Sequence, residues 1–129
     1  MNKLVISTKT ENEVVDLTPQ IEDLVKQHAN GFNLVHVFLP HTSAALTTAD
    51  LDPGTDQDLL DAYEAMVPKL KYRHPHDPSH VGDHIMSSLL GTSIAIPCEN
   101  NEMLLGPYQR IILVEFYGPK ERTIIVNFS

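Results

Sequence analysis

Segments with β patterning crowd both ends of this chain, and the helical patterns lie mostly between them. That order constrains the fold more than any single motif does. Residues 4–9 and 13–17 are short runs with β-branched residues, separated by the polar Thr10-Glu11-Asn12. They read as two antiparallel strands joined by a tight turn. Thr18-Pro19 opens a helix, with Thr18 as N-cap and Pro19 in the first turn. Ile21, Leu24, Val25 and His28 follow on one helical face, and Gly31 supplies the stop. Residues 32–39 and 44–48 are β-rich, interrupted at Pro40-His41-Thr42-Ser43. Asp52-Pro53 starts a second helix that Pro68 ends, and Pro78 or Ser79 starts a third that Gly91 closes. Residues 92–97, 103–105, 108–116 and 122–128 return to β patterning, the last two joined by a turn at 117–121. Strands that do not alternate one-for-one with helices favour an α+β fold with a mainly antiparallel sheet and helices on one face. Residues 1–129 form one domain, a length within the usual range for a single core. Ile111-Ile112-Leu113-Val114 is apolar at every position, so the sheet face away from the helices needs cover. A second copy of the chain is the natural source of that cover, which predicts an oligomer.

Charge and composition narrow the function. Acidic residues outnumber basic ones 17 to 9, for a net charge of −8. Nucleic acids and anionic membranes need clustered Lys and Arg, so neither is an expected partner. The single cysteine, Cys98, forms no internal disulfide and suits a reducing compartment; it reads as a small buried apolar residue. No apolar run approaches the roughly 20 residues that span a bilayer. The opening residues 1–7 go directly into a strand pattern with no signal-peptide core. A cytoplasmic location is the expectation.

The seven histidines demand a reason, since four of them fall between His74 and His84. His80 and His84 stand four apart on the third helix, one turn from each other on one face. That spacing suits joint coordination of a divalent metal such as Zn, and equally suits two exposed helical histidines. His41 sits where a strand breaks, followed by the hydroxyls of Thr42 and Ser43, which hold an anion, orient an imidazole or simply stabilise their own turn. Asp50, Asp52, Asp56, Asp58 and Asp61 form an acidic group suited to capping and the helix dipole. Such carboxylates also orient an imidazole, bind a hard cation such as Mg²⁺ or act as a base. Glu115 interrupts an apolar run. If its face is buried it must be paired, and Arg122 across the hairpin is the partner. No glycine-rich phosphate loop, dinucleotide fingerprint or serine-hydrolase elbow is present.

Four segments, in order over nearly the whole chain, resemble the signatures of one family. They are Pro40-His41-Thr42-Ser43-Ala44-Ala45-Leu46, Asp83-His84-Ile85-Met86-Ser87-Ser88-Leu89-Leu90-Gly91, Leu104-Leu105-Gly106-Pro107-Tyr108-Gln109, and Val114-Glu115-Phe116-Tyr117-Gly118-Pro119-Lys120-Glu121-Arg122. The chain is similar to the YjbQ-like proteins, a family often described as secondary thiamine-phosphate synthases. It departs from their pattern at Tyr108, where the motif has Trp, at Pro107, where it has Thr, and at His80, where it commonly has Asn. The resemblance implies an α+β fold and a homotrimer with sheets around a three-fold axis. It also implies a site of histidines and carboxylates drawn from His41, Asp58, His84, Gln109, Glu115 and Arg122. The implied reaction joins a pyrimidine pyrophosphate to a thiazole phosphate and releases pyrophosphate, with a small phosphorylated metabolite as substrate. The alternative is a non-catalytic trimeric module that binds a metal or an anion.

These readings assign catalysis to His41, His84, Asp58 and Glu115, and substrate binding to Thr42, Ser43, Gln109 and Arg122. A divalent metal, Mg or Zn, is assigned to His41, His80 and His84. The sharpest expectation is geometric. The third helix packs its Val81, Ile85 and Leu89 stripe on the sheet, so His84 points along the sheet's rim, where His41 ends a strand. The two imidazoles then converge in one cleft and share a metal or an anion, with His80, His74 or His76 as a third ligand.

Overall fold

Two antiparallel sheets, not one, take up the β segments. The computed structural model describes residues 2–75 and 77–129. In chain order the elements are β1 (Asn2–Ser7), β2 (Glu13–Asp16), α1 (Thr18–Gln27), β3 (Leu34–Phe38), β4 (Ala44–Ala49), α2 (Thr55–Met66), α3 (Val81–Leu90), β5 (Ser93–Glu99), β6 (Glu102–Met103), β7 (Arg110–Glu115) and β8 (Glu121–Phe128). A single 3-10 turn, Pro78–His80, leads into α3. The larger sheet runs β1-β8-β3-β5-β6 and the smaller β2-β7-β4.

The expected hairpin between the first two strands does not form. β1 pairs with β8, Val5 opposite Thr123, while β2 pairs with β7, Val14 opposite Val114. The chain crosses from one sheet to the other between β1 and β2, and crosses back between β7 and β8. Local patterning could not show this, because a turn and a crossing use the same polar residues.

β7 is the centre of the smaller sheet and is covered on both faces. Ile111 and Leu113 point into a core between the sheets, with Leu17 just before α1, Ile21 and Val25 from α1, and Val35, Val37, Ile124 and Val126 from the larger sheet. Ile112 and Val114 point the other way, under Tyr63 of α2 and Met86 of α3. The layers are therefore sheet, sheet, helices, and the continuous apolar run follows from burial on both faces. No partner subunit is needed to cover it. Apolar side chains left open lie elsewhere, Val5 and Phe38 on the outward face of the larger sheet and Met66, Leu70, Leu89, Leu104 and Tyr108 on helices and loops.

Three helix ends differ from the sequence expectation. Thr18 does not cap α1: its backbone N–H is taken by the Asp16 carboxylate at 3.0 Å, and its buried hydroxyl accepts the Ile111 N–H at 2.8 Å, tying α1 to β7. α1 ends at Gln27, with His28 rather than Gly31 as its C-cap. α2 begins at Thr55, after Gly54 in a left-handed conformation, because Asp52-Pro53 forms the preceding turn. Among the described residues no helix is long and apolar enough to cross a membrane.

Candidate functional site

The two crossings between sheets run side by side and are stitched together. Thr8 N–H donates to the Lys120 carbonyl at 2.8 Å, Lys120 N–H to the Thr8 hydroxyl at 2.8 Å, and Gly118 N–H to the Glu11 carbonyl at 2.8 Å. The approach is close enough to require glycine, since a Cβ at Gly118 would lie 2.1 Å from the Thr10 carbonyl oxygen. Glu115 ends β7 on one side of this junction and Arg122 lies at the start of β8 on the other.

Glu115 and Arg122 form the expected ion pair, but between sheets rather than across a hairpin. Both are buried, at 0% and 3% exposure. Arg122 Nε donates to Glu115 Oε1 at 2.9 Å, and its Nη2 bonds Glu115 Oε2 as well. The carboxylate also accepts the Thr8 hydroxyl at 2.8 Å and the Tyr117 N–H at 3.1 Å. Burial alone would raise the pKa of Glu115. The Arg122 and Thr8 hydrogen bonds outweigh it and hold the carboxyl below its ordinary value, so it is ionised. Arg122 Nη2 then reaches the Ser43 carbonyl at 3.1 Å and the Ser43 hydroxyl at 2.9 Å. A charge fixed between two sheets thus fixes the loop that follows β3.

That loop carries His41 and Thr42. Thr123 N–H donates to His41 Nε2 at 3.0 Å, which only an unprotonated Nε2 can accept. The ring's pKa lies below the usual imidazole value, first through burial and next through the Arg122 guanidinium, partly countered by Glu115. His41 is therefore neutral, with its proton on Nδ1. On the facing side, α3 is bonded to the same loop and to the start of β4. The Ser87 hydroxyl donates to the Ala44 carbonyl at 2.7 Å, and His84 Nδ1 is 2.7 Å from the Thr42 carbonyl. A carbonyl only accepts, so His84 Nδ1 holds a proton and Nε2 carries the neutral ring's lone pair.

The two imidazoles share a cleft, but not by the expected packing: Met86 and Ser87 are the buried residues of α3, while Leu89, expected with Val81 and Ile85 on the sheet, is 66% exposed. His41 and His84 line one open cleft of about 510 Å³, together with Thr42, Ser87, Ser88, Gly91 and Thr92. His74 comes from the loop before α3 and stacks on His84, ring centroids 5.0 Å apart and planes 15° from parallel. Sequence reasoning did not single out Ser87, Ser88, Gly91 and Thr92. One signal was present: Ser87 and Ser88 follow His84 at three and four residues, which places them on the same side of α3.

Other expected site residues stand apart. His80 does not join His41 and His84. Its Nε2 is 2.9 Å from Asp77, its Nδ1 is 3.7 Å from Asp83, and its ring packs on Tyr117 with centroids 3.9 Å apart. The 3-10 turn places His80 at the N-cap of α3 rather than within the helix, so the four-residue spacing does not align the two rings. Among the described residues no three His, Cys, Asp or Glu side chains are grouped to hold a metal ion, so the set His41, His80 and His84 does not fit one. His76, also expected as a ligand, lies outside the described residues. Asp58 is exposed in the first turn of α2. Gln109 accepts the Gly106 N–H at 2.8 Å and lines a separate hollow with Thr48 and Leu105. Cys98 is buried, and burial pushes its thiol pKa up.

Comparison with known proteins agrees with this frame. The model of the UPF0047 protein YjbQ-like family matches residues 2–129. A UPF0047 protein of Archaeoglobus fulgidus is 36% identical, covering 97% of this chain and 98% of its own. One from Methanocaldococcus jannaschii is 31% identical over 97% of this chain and 91% of its own. Among solved structures, a YbjQ-like protein of unknown function from Sulfolobus solfataricus superposes with a TM-score of 0.91 at 27% identity, covering 98% of this chain and 94% of that one. An uncharacterised YjbQ/UPF0047 protein from Clostridium acetobutylicum gives 0.90 at 30% identity over the whole of both chains. The sequence signatures, the paired antiparallel sheets and these matches lead to one assignment: the chain belongs to the YjbQ-like UPF0047 family.

Proposed function

We propose that the His41–His84 cleft is the active site of an enzyme acting on a small phosphorylated metabolite. The observation that carries this reading is a pair of imidazoles at one cleft, each with one ring nitrogen fixed by a backbone group. In the neutral form of His84 the lone pair that takes a proton is on Nε2, because its other nitrogen is committed to the Thr42 carbonyl. His41 has the opposite arrangement, with a proton on Nδ1 to donate, because its Nε2 is occupied by Thr123. One acceptor and one donor at a single cleft are what general acid–base catalysis requires. The hydroxyls of Thr42 and Thr92 supply neutral donors for phosphate oxygens. In this reading Glu115 and Arg122 are positioning residues. They set the loop without touching substrate, while Asp58 and Gln109 act outside the cleft.

Thiamine-phosphate synthesis is the reaction to test first, in the cytoplasm and as a homotrimer. A divalent ion would enter on the diphosphate, which supplies the oxygen ligands that Mg²⁺ prefers. The trimer is supported by the open apolar face around Val5 and Phe38. The decisive assay mixes the pyrimidine pyrophosphate and thiazole phosphate with Mg²⁺ and purified protein, and compares His84→Gln. Loss of a positioned acid–base group should slow turnover by about 10²-fold or more. Equal rates, or none above background, would remove the assignment and leave the non-catalytic binding module in its place.

A further inference from the structure

A second hollow of about 590 Å³ lies between α2, the 67–72 segment and the start of α3, on the helix-covered side of the smaller sheet. It shares no lining residue with the His41–His84 cleft. Its volume falls in the range of small-molecule sites. The floor is apolar and aromatic: Tyr63 and Phe116 meet edge to face, centroids 6.3 Å apart at 73°, with buried Met86 beside them. The rim is acidic. Asp61 and Glu64 stand three apart on α2, and Asp83 enters from the opposite wall on α3. Lys69 is the single cation among the described lining residues.

Asp83 is the telling member. Its side chain is 24% exposed, and its one ion pair among the described residues is a loose 3.7 Å contact with His80. Burial raises its pKa, against the pull of His80 and His84, so the carboxylate lacks the compensation a closer cation would give. Phosphate is the wrong ligand for such a rim. Three carboxyl groups against one lysine repel it, so the hollow is not a second place for the metabolite proposed above.

We propose that this hollow binds a small aromatic cation, a ring bearing an amidinium or primary ammonium group, with the ring on Tyr63, Met86 and Phe116 and the charge toward Asp83 and Glu64. The apolar floor accepts a flat ring by van der Waals contact with the small part of Tyr63 and Phe116 that stays open. Carboxylates on opposite walls fix the charged end and exclude anions.

The test is an NMR titration of the isotopically labelled full chain with benzamidinium, benzyl alcohol and benzoate in parallel. Benzamidinium should bind with a Kd of about 1 mM, moving amides of α2 and of residues 79–86. Benzyl alcohol should bind about five-fold more weakly and benzoate not measurably, and added salt should weaken benzamidinium alone. Asp83→Asn should weaken benzamidinium about five-fold. Glu64→Gln, on the exposed rim where it cannot disturb folding, should weaken it about two-fold. Equal binding of benzoate, no shifts by about 10 mM benzamidinium, or shifts gathered at His41 and Ser88 would each overturn the proposal.

Discussion

Two polar regions meet at the loop of residues 41–43, and they differ in how their groups are satisfied. The Glu115–Arg122 junction is sealed, with each carboxylate oxygen taken twice and the guanidinium shared with Ser43. In the His41–His84 cleft, each ring has one nitrogen anchored to backbone and the ring edge on an open surface. The first arrangement suits a strut and the second suits chemistry. Rigidity in the loop is thus supplied from behind, by a charge pair that never needs to meet a substrate.

The largest expected effect breaks the sealed side. Glu115→Ala leaves the Arg122 charge buried without its partner, along with the Thr8 hydroxyl and Tyr117 N–H. It should cost about 3–5 kcal/mol in urea unfolding. If Glu115→Ala cost less than about 1 kcal/mol, the junction would be no strut.

Next comes the strand that connects both regions. Leu113 is fully buried at the centre of β7, so Leu113→Ala should cost about 2–5 kcal/mol through lost burial and the cavity left behind. Ile112→Ala, on the opposite face under α2 and α3, should fall in the same range. A near-zero value for Ile112→Ala would mean that the helices do not seal that face in solution.

β7 also shows what was legible in sequence. The apolar run announced a strand with two buried faces, and the strand order announced an α+β fold. Sequence could not show that the second cover was the chain's own helices, because that depends on which sheet each strand joins. The shared cleft of His41 and His84 was legible from the strand end and the helix that follow one another in the motifs, but the packed face of α3 was misread, since Met86 and Ser87 are buried and Leu89 is exposed. The orientation of His80 was not, because it turned on whether the first turn before α3 was 3-10 or α. Thr18 shows the same limit. A Thr-Pro pair reads as a helix cap, yet tertiary contact assigns the hydroxyl to Ile111. Thr18→Val removes that acceptor and strands a buried N–H, and should cost about 1–3 kcal/mol by urea unfolding. A cost of a few tenths would return Thr18 to the role of an ordinary helix-start residue.

The smallest expected effect probes the open side, through pH. His41 in the folded chain titrates below 6.5, whereas in the unfolded chain it titrates near that value. Between the two, the unfolded state binds more protons, so stability rises with pH across that window. The contribution is complete above about 6.5 and is lost as pH falls through the folded value. The Glu115 carboxyl, also held down, works in the same direction but at lower pH, beneath its ordinary 4.5. The two windows are therefore separable. His41→Gln keeps an acceptor for the Thr123 N–H and removes the titration. Its stability should accordingly change less than wild type's between about pH 5 and 7, with the slopes converging at higher pH. A direct reading comes from the His41 ring-proton shift, which should report a pKa below 6.5. A ring that titrates at or above that value, or a variant with an unchanged slope, would mean that the Thr123 bond opens in solution, and the fixed donor tautomer of His41 would go with it.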